Sequence, residues 1–275
     1  MNSNATLEPA GTTGHKAAPS AVLGFAAPIE AGKTTISTAV AVQLNAPRVS
    51  FGGYLRKLAK SKGLEITREV LQDLGDELVR RDVHAFCREV LEQQPSRPGV
   101  PLVIDGVRHL EVLSALGAIL APAAAYLIFI KVDRQTQANR LLHDELRHEK
   151  SLEDLEKHPT ERQVRSVLPD KASLVLDGTR PPDELIQKVI DFLTNKTKEA
   201  DAERGWEKKN ARRLELAEKK SVGELAGAEI AEFDQLQTEY FEYLDAKFPR
   251  TPADLQGLAE IEARLKAAKP SPQGE

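Results

Sequence analysis

Residues 21–35 read Ala-Val-Leu-Gly-Phe-Ala-Ala-Pro-Ile-Glu-Ala-Gly-Lys-Thr-Thr, an apolar run, a turn of small residues, then Gly32-Lys33-Thr34 at the head of an Ala/Val-rich stretch. The run predicts a short buried strand over Ala21–Phe25, and the stretch Thr34–Leu44, apolar all round, predicts a helix packed under a sheet. A turn of this composition between strand and helix is read as a phosphate-binding loop. Its backbone N–H groups face phosphate oxygens, the helix N-terminus adds positive potential, and the lysine supplies charge. The residues assigned to it are Ala27, Glu30, Ala31, Gly32, Lys33, Thr34 and Thr35, with the Thr34 hydroxyl directed to magnesium. Against the pattern G-x-x-x-x-G-K-[ST] one fixed position departs, because Ala27 stands where the first glycine belongs. Ala27 and Glu30 predict a loop less permissive and more acidic than usual.

Outward from this loop, strands and helices alternate. Arg48–Phe51 is a short run ending at Gly52-Gly53, after which Tyr54 starts a helical pattern that places Arg56 one turn in. Thr67 is read as the N-cap of a second helix, and Arg81-Asp82-Val83 leads to a third that carries Phe86, Cys87 and Val90 inward. Pro101–Asp105 is a buried strand that ends in Asp105-Gly-Val-Arg108-His109, and Tyr126–Val132 and Ser173–Leu176 are further strands. Arg134–Leu146 is a polar helix containing Arg140, and Asp183–Leu193 an amphipathic one. This alternation predicts an α/β domain around a parallel five-stranded sheet, whose ligands lie at the carboxyl ends of the strands.

Composition sets the bounds. A chain of 275 residues with 41% hydrophobic and 29% charged residues has enough apolar content for a real core. Its net charge of −4 argues against wholesale electrostatic binding of nucleic acid. The single cysteine, Cys87, excludes an intrachain disulfide and is read as a core residue in a reducing, cytoplasmic setting. The first twenty residues lack the features of a secretion signal and are read as a flexible leader. The longest apolar stretch, Leu110–Val132, is broken by Glu111, Ser114, Pro122 and Lys131, so no membrane span is expected.

Phosphoryl transfer needs charge on the moving phosphate, a metal site and a separate grip on the acceptor. Lys33 and Thr34 supply donor and magnesium contacts, and Asp105 is placed to carry a metal-bound water. Arg56 and Arg108 are placed to clamp an acceptor phosphate, and Arg140 to cover the donor from a lid. The strings Val-Ser-Phe-Gly-Gly-Tyr-Leu-Arg56, Thr67–Gly75 and Asp105-Gly-Val-Arg108, with the Arg140 helix, resemble the P-loop nucleoside-monophosphate kinase group. That group takes in adenylate kinases, dephospho-coenzyme A kinases and phage-type deoxynucleotide kinases. The resemblance spans roughly residues 20–195 and implies a three-layer P-loop fold, ATP and magnesium as cofactors, and acceptor-phosphate binding by Arg56 and Arg108. Arg68 and Gln72 are assigned to reading an acceptor base, and Arg162 or Arg165 to completing a lid that holds Arg140, His143, Asp144 and Arg147. His109 and His158 are read as structural.

From Lys196 onward no strand signal remains, and this all-helical region holds six of the chain's thirteen aromatics. Ile230, Phe233, Leu236, Tyr240 and Leu244 mark one helix face, and Leu255, Leu258, Ile261 and Leu265 another, after a Thr251-Pro252 helix start. The organisation expected is a leader (1–20), a kinase-like domain (21–195) and a helical extension (196–275) that either packs as a hairpin or serves as a homodimer or partner arm through residues 205–275. The basic residues Lys208, Lys209, Arg212, Arg213, Lys219 and Lys220 are interleaved with glutamates and read as a solvated face. The function expected is ATP- and magnesium-dependent phosphoryl transfer to a nucleoside or deoxynucleoside monophosphate or a similar small phosphorylated acceptor, with Lys33, Arg108 and Arg140 as the catalytic set. The alternative is a nucleotide-binding sensor, a regulatory AAA-like ATPase whose helical region binds a partner protein.

Overall fold

The computed structural model describes residues 18–142 and 159–268. The chain divides into two compact units, Met1–Thr194 and Asn195–Glu275. In the first, β1 (Ala21–Ala26), α1 (Lys33–Gln43), β2 (Arg48–Ser50), α2 (Phe51–Ser61), α3 (Arg68–Leu91), β3 (Leu102–Asp105) and α4 (Leu110–Ile119) follow one another. Then come β4 (Ala124–Lys131), α5 (Arg134–Leu142), α6 (Pro159–Ser166), α7 (Leu168–Lys171), β5 (Leu174–Asp177) and the start of α8 (Pro182–Ser221). The five strands form one sheet in the order β2-β3-β1-β4-β5, with every adjacent pair parallel. This is the expected α/β architecture.

The register explains the sequence pattern. β1 lies at the centre, with Gly24 opposite both Ile104 and Leu127, and all six of its residues are buried. A strand covered on both faces reads as a continuous apolar run. One core layer gathers Val22, Ile104, Phe129, Leu74, Phe86 and Leu116 on one side of the sheet; the other gathers Leu23, Phe25, Val103, Ile128, Ile36 and Val189. Cys87 belongs to the first layer, where burial pushes its thiol up to about 12.

Strand ends shift by one or two residues from the sequence expectation, and two helix boundaries differ by more. Helix α2 begins at Phe51, because the Ser50 side chain accepts the Gly53 N–H at 3.1 Å and caps the helix there. Gly52 and Gly53 are therefore helical. Helix α8 continues well past Leu193, to Ser221. Elsewhere the capping signals hold, with Thr67 accepting the Val70 N–H at 3.3 Å. Extended backbone at Asp82, whose carboxylate accepts the Ala85 N–H at 2.9 Å, separates the two helical segments of α3.

The second unit is built from the end of α8, α9 (Ala228–Lys247) and α10 (Pro252–Ala268). The α8 end and α9 pair antiparallel, and the Trp206 ring stacks on Tyr243 with centroids 4.5 Å apart. Lys209 meets Glu239 at 2.7 Å, Arg212 meets Glu232 at 2.9 Å, and Lys219 meets Glu229 at 2.7 Å. Arg213 lies over the Tyr240 ring and Lys220 over Phe233. Most of the basic run thus serves the hairpin. Phe233 is buried, while Ile230, Phe241, Phe248, Leu258 and Ile261 are exposed. Thr251 and Asp254 exchange bonds at the start of α10, as its Thr-Pro start predicts. No helix among the described residues is long and apolar enough to cross a membrane.

Gly178, just after β5, is fixed by close approach, because a Cβ there would lie 2.6 Å from Val132 Cγ1 and 3.2 Å from the Lys131 carbonyl oxygen. Its own N–H donates to that carbonyl at 2.7 Å. Gly178→Ala is expected to destabilise the domain by about 2 kcal/mol through overpacking. Urea unfolding checks this; a midpoint equal to that of the wild type would mean that the loop yields.

Candidate active site

Strand β1 sends its connection to β2 on one side of the sheet, and β3 sends its connection across to β4 on the other. The crevice between the carboxyl ends of β1 and β3 is therefore a topological switch point. The loop after β1 is the phosphate-loop candidate, and the turn after β3 is Asp105-Gly106-Val107-Arg108. Together they open onto a cavity of about 390 Å³, lined on one side by Glu30–Thr35 and on the other by Arg56, Arg68, Gln72 and Arg108.

Asp105 is the hub. Its buried carboxylate accepts Lys33 Nζ on Oδ1, and on Oδ2 both Thr34 Oγ1 at 3.2 Å and Arg48 Nη2 at 2.5 Å. Arg48 also donates from Nε to Ser37 Oγ at 3.3 Å, which ties β2 to α1. Gly106 makes the turn possible. Its φ is +97°, and a Cβ there would stand 3.8 Å from both Lys33 Nζ and the Gly52 nitrogen. Burial holds the Lys33 ammonium below its ordinary pKa, and the positive charges of Arg108 and Arg48 push the same way. Asp105 opposes them by charge and hydrogen bond.

The phosphate loop departs from its sequence reading in one instructive way. Ala27 is buried and is not among the residues with positive φ, so this position makes no demand for glycine. The strained position is Glu30, at φ 55°, in the left-handed region that a non-glycine side chain adopts at a cost of about 1 kcal/mol. Its backbone is held from outside. Arg140 Nη1 donates to the Glu30 carbonyl at 3.2 Å while Nη2 donates to that of Gly178 at 2.7 Å. Gln137, fully buried, donates to the Ile29 carbonyl and accepts Arg165 Nη2 at 2.7 Å.

Across the cavity, Arg68, Gln72 and Arg108 converge on one buried carboxylate, that of Glu161 at the start of α6. Arg68 Nη2 donates to Oε1 at 2.7 Å and Gln72 Nε2 at 3.0 Å, and Arg108 Nη1 donates to the same oxygen. Arg56 lines the cavity with no ion pair among the described residues. His109 Nε2 lies 2.8 Å from Asp76 Oδ1.

Of the residues singled out in the sequence, Glu30, Ala31, Gly32, Lys33, Thr34, Thr35, Arg56, Arg68, Gln72, Asp105 and Arg108 line one cavity. Ala27 lies buried at the base of the loop, and Arg140 braces the loop from behind. His143, Asp144, Arg147 and His158 lie outside the described residues. Sequence reasoning passed over Arg48, Gln137 and Glu161. A charge opening a short strand with Val49 buried at its centre is a signal for Arg48. Glu161 and Gln137 had none, since each is a polar residue in a polar helix until tertiary packing buries it.

Residues 31–158 match the model of a family described as an AAA domain, beginning one residue before Gly32-Lys33-Thr34. The match takes in the Gly32-Lys33-Thr34 turn and β2, β3 and β4 of the all-parallel 2-3-1-4-5 sheet. The comparison with curated proteins gives no match. Among solved structures, the chain is similar to a gluconokinase from Sinorhizobium meliloti, at 15% identity over 67% of this chain and 97% of that one, with a TM-score of 0.46. It is similar also to a shikimate kinase from Aquifex aeolicus, at 17% identity over 64% of this chain and 98% of that one, with a TM-score of 0.43.

The hub predicts a pH signature. Asp105→Asn removes the one contact that raises the Lys33 pKa and leaves burial, Arg108 and Arg48 to lower it. The variant's ammonium then deprotonates at lower pH than in the wild type. In metal-free titrations with ADP from about pH 6 to about pH 9, variant affinity is expected to fall away at lower pH than wild-type affinity. Superimposable profiles would show that Asp105 does not hold the proton on Lys33.

Proposed function

We propose that the P-loop domain transfers the γ-phosphoryl group of ATP to a nucleoside or deoxynucleoside monophosphate, or to a similar small phosphorylated acceptor. The observation that carries this reading is the cavity itself, with Lys33 and Thr34 on one wall and three guanidinium groups, of Arg56, Arg68 and Arg108, on the other. A nucleotide-hydrolysing switch needs the first wall. The second gives a transferase a grip on an anionic acceptor.

Thr34 Oγ1 and Asp105 Oδ2, 3.2 Å apart at the foot of the loop, are a hydroxyl and a carboxylate oxygen, the hard donors that suit magnesium. They would hold the ion, and when bound it supplies charge neutralisation on the donor phosphates. The chain's own residues do the rest. The N–H groups of the Glu30–Thr34 turn and the start of α1 receive donor phosphate oxygens. Lys33 carries its charge to them, kept protonated by Asp105 until the phosphate takes over as its partner. Arg56 and Arg108 seat the acceptor anion opposite, which fixes the line of attack and excludes water from it.

The test is a coupled assay of ADP formation with ATP, magnesium and a panel of ribo- and deoxynucleoside monophosphates plus dephospho-coenzyme A. Acceptor-stimulated turnover is expected with at least one of them, and Lys33→Ala is expected to lose about a hundredfold or more of it with its circular dichroism unchanged. Nucleotide binding without acceptor-dependent turnover across the panel would overturn the proposal.

A further inference from the structure

Glu161 is buried to 0% exposure, yet only one of its two carboxylate oxygens is engaged. Oε1 receives Arg68, Gln72 and Arg108, while Oε2 is buried with no hydrogen-bond partner among the described residues. A carboxylate kept only for packing or stability gains by satisfying both oxygens, because a buried unpaired one is costly. Here all of the bonding falls on the oxygen where three cavity-lining side chains from two separate segments meet. The same helix holds the donor side one turn later, since Arg165 bonds Gln137, which in turn donates to the Ile29 carbonyl in the phosphate loop. Helix α6 therefore reaches both walls of the cavity through side chains four residues apart, one wall directly and the other by way of Gln137.

From this arrangement we infer that Glu161 is the positioning residue of the acceptor site. It holds the guanidinium planes of Arg68 and Arg108 in one orientation and offsets part of their charge, so that an acceptor anion is seated in a single pose. Without that carboxylate the two guanidinium groups repel each other and turn toward water. A small symmetrical anion can still recruit both, and it binds more tightly because the competing negative charge has gone. An acceptor that must be aligned with the donor is seated in the wrong poses. The inference rests on the acceptor-side assignment made above, and the two can fail separately.

The measurement uses the full chain saturated with magnesium-ADP, so that the phosphate loop is occupied, and titrates inorganic phosphate as the probe. Glu161→Gln is expected to bind phosphate about tenfold more tightly than the wild type, the effect of removing one nearby charge. With the acceptor found in the panel assay, its kcat is expected to fall by about ten- to a hundredfold through lost alignment, while ADP affinity stays at the wild-type level. A structural role alone would weaken phosphate, acceptor and ADP together. Unchanged or weaker phosphate binding in a variant that still binds ADP would overturn the inference, whether or not any acceptor is turned over. Glu161→Asp, which keeps the charge and withdraws it by one methylene, covers the case in which Glu161→Gln fails to fold. It is expected to leave phosphate affinity unchanged and to lower kcat or, if no acceptor is turned over, to increase the mobility of the Arg68 and Arg108 Nε–H signals in NMR. Wild-type kcat or unchanged arginine signals in that variant would equally overturn it.

Discussion

The rest of the site depends on one buried negative charge. Asp105 ends β3 beside the carboxyl end of β1, and its carboxylate draws Lys33, Thr34 and Arg48 to within bonding distance. An unpaired carboxylate in that position would cost several kcal/mol, so its partners are held by the penalty of leaving it as much as by attraction. Three consequences follow for the fold. The start of α1 is pinned over the sheet, β2 is anchored through Arg48 to Ser37, and the turn at Gly106, with φ +97°, is set beside the Lys33 ammonium. The pairing also sets Lys33 between opposing forces, burial lowering its pKa and Asp105 raising it. A cation so balanced is ready to exchange one anionic partner for another.

The loop between β1 and α1 adds a second constraint of a different kind. A loop of this shape needs left-handed backbone somewhere, and the usual glycine is not where the strain falls. Gly32 takes one such conformation at φ 78° and Glu30 the other at φ 55°. The second is maintained by its surroundings, since Arg140 and Gln137 hold the carbonyls of Glu30 and Ile29 from α5. Arg140 spends both of its described bonds on backbone carbonyls, one in the loop and one at Gly178 after β5. Its position couples the loop to the far end of the sheet. These two bonds use two of its five N–H groups and leave three for other acceptors.

How much of this was legible in the residues follows from the range of the forces involved. The apolar run at Ala21–Phe25 announced a buried strand, and the Gly-Lys-Thr turn announced its loop, because both are local in sequence. Thr67 and Asp82 declared helix starts for the same reason. Ser50 did not, since the glycines after it look like a turn until the cap is seen. The α8 helix ran on past Leu193 because its later residues, Lys, Glu and Ala, favour helix without any apolar stripe to advertise it. Arg48, Gln137 and Glu161 matter through partners 11 to 108 residues away. No spacing rule reaches that far.

The two units treat positive charge in opposite ways, and the contrast bears on why an acidic chain can build a cationic cavity. In the helical unit, Lys209, Arg212 and Lys219 each meet glutamates across a solvent-exposed seam. Such pairs are screened and worth little apiece, and they leave no strong field. In the α/β unit, Lys33 and Arg48 share Asp105, and Arg68 and Arg108 share Glu161, with cations outnumbering carboxylates at both points. Low-dielectric walls concentrate the surplus into the cavity between them. A net charge of −4 over 275 residues is thus no guide to the potential felt by a ligand there. Lys33, Arg56, Arg68 and Arg108 line the cavity together with Glu30, Asp76 and Asp105.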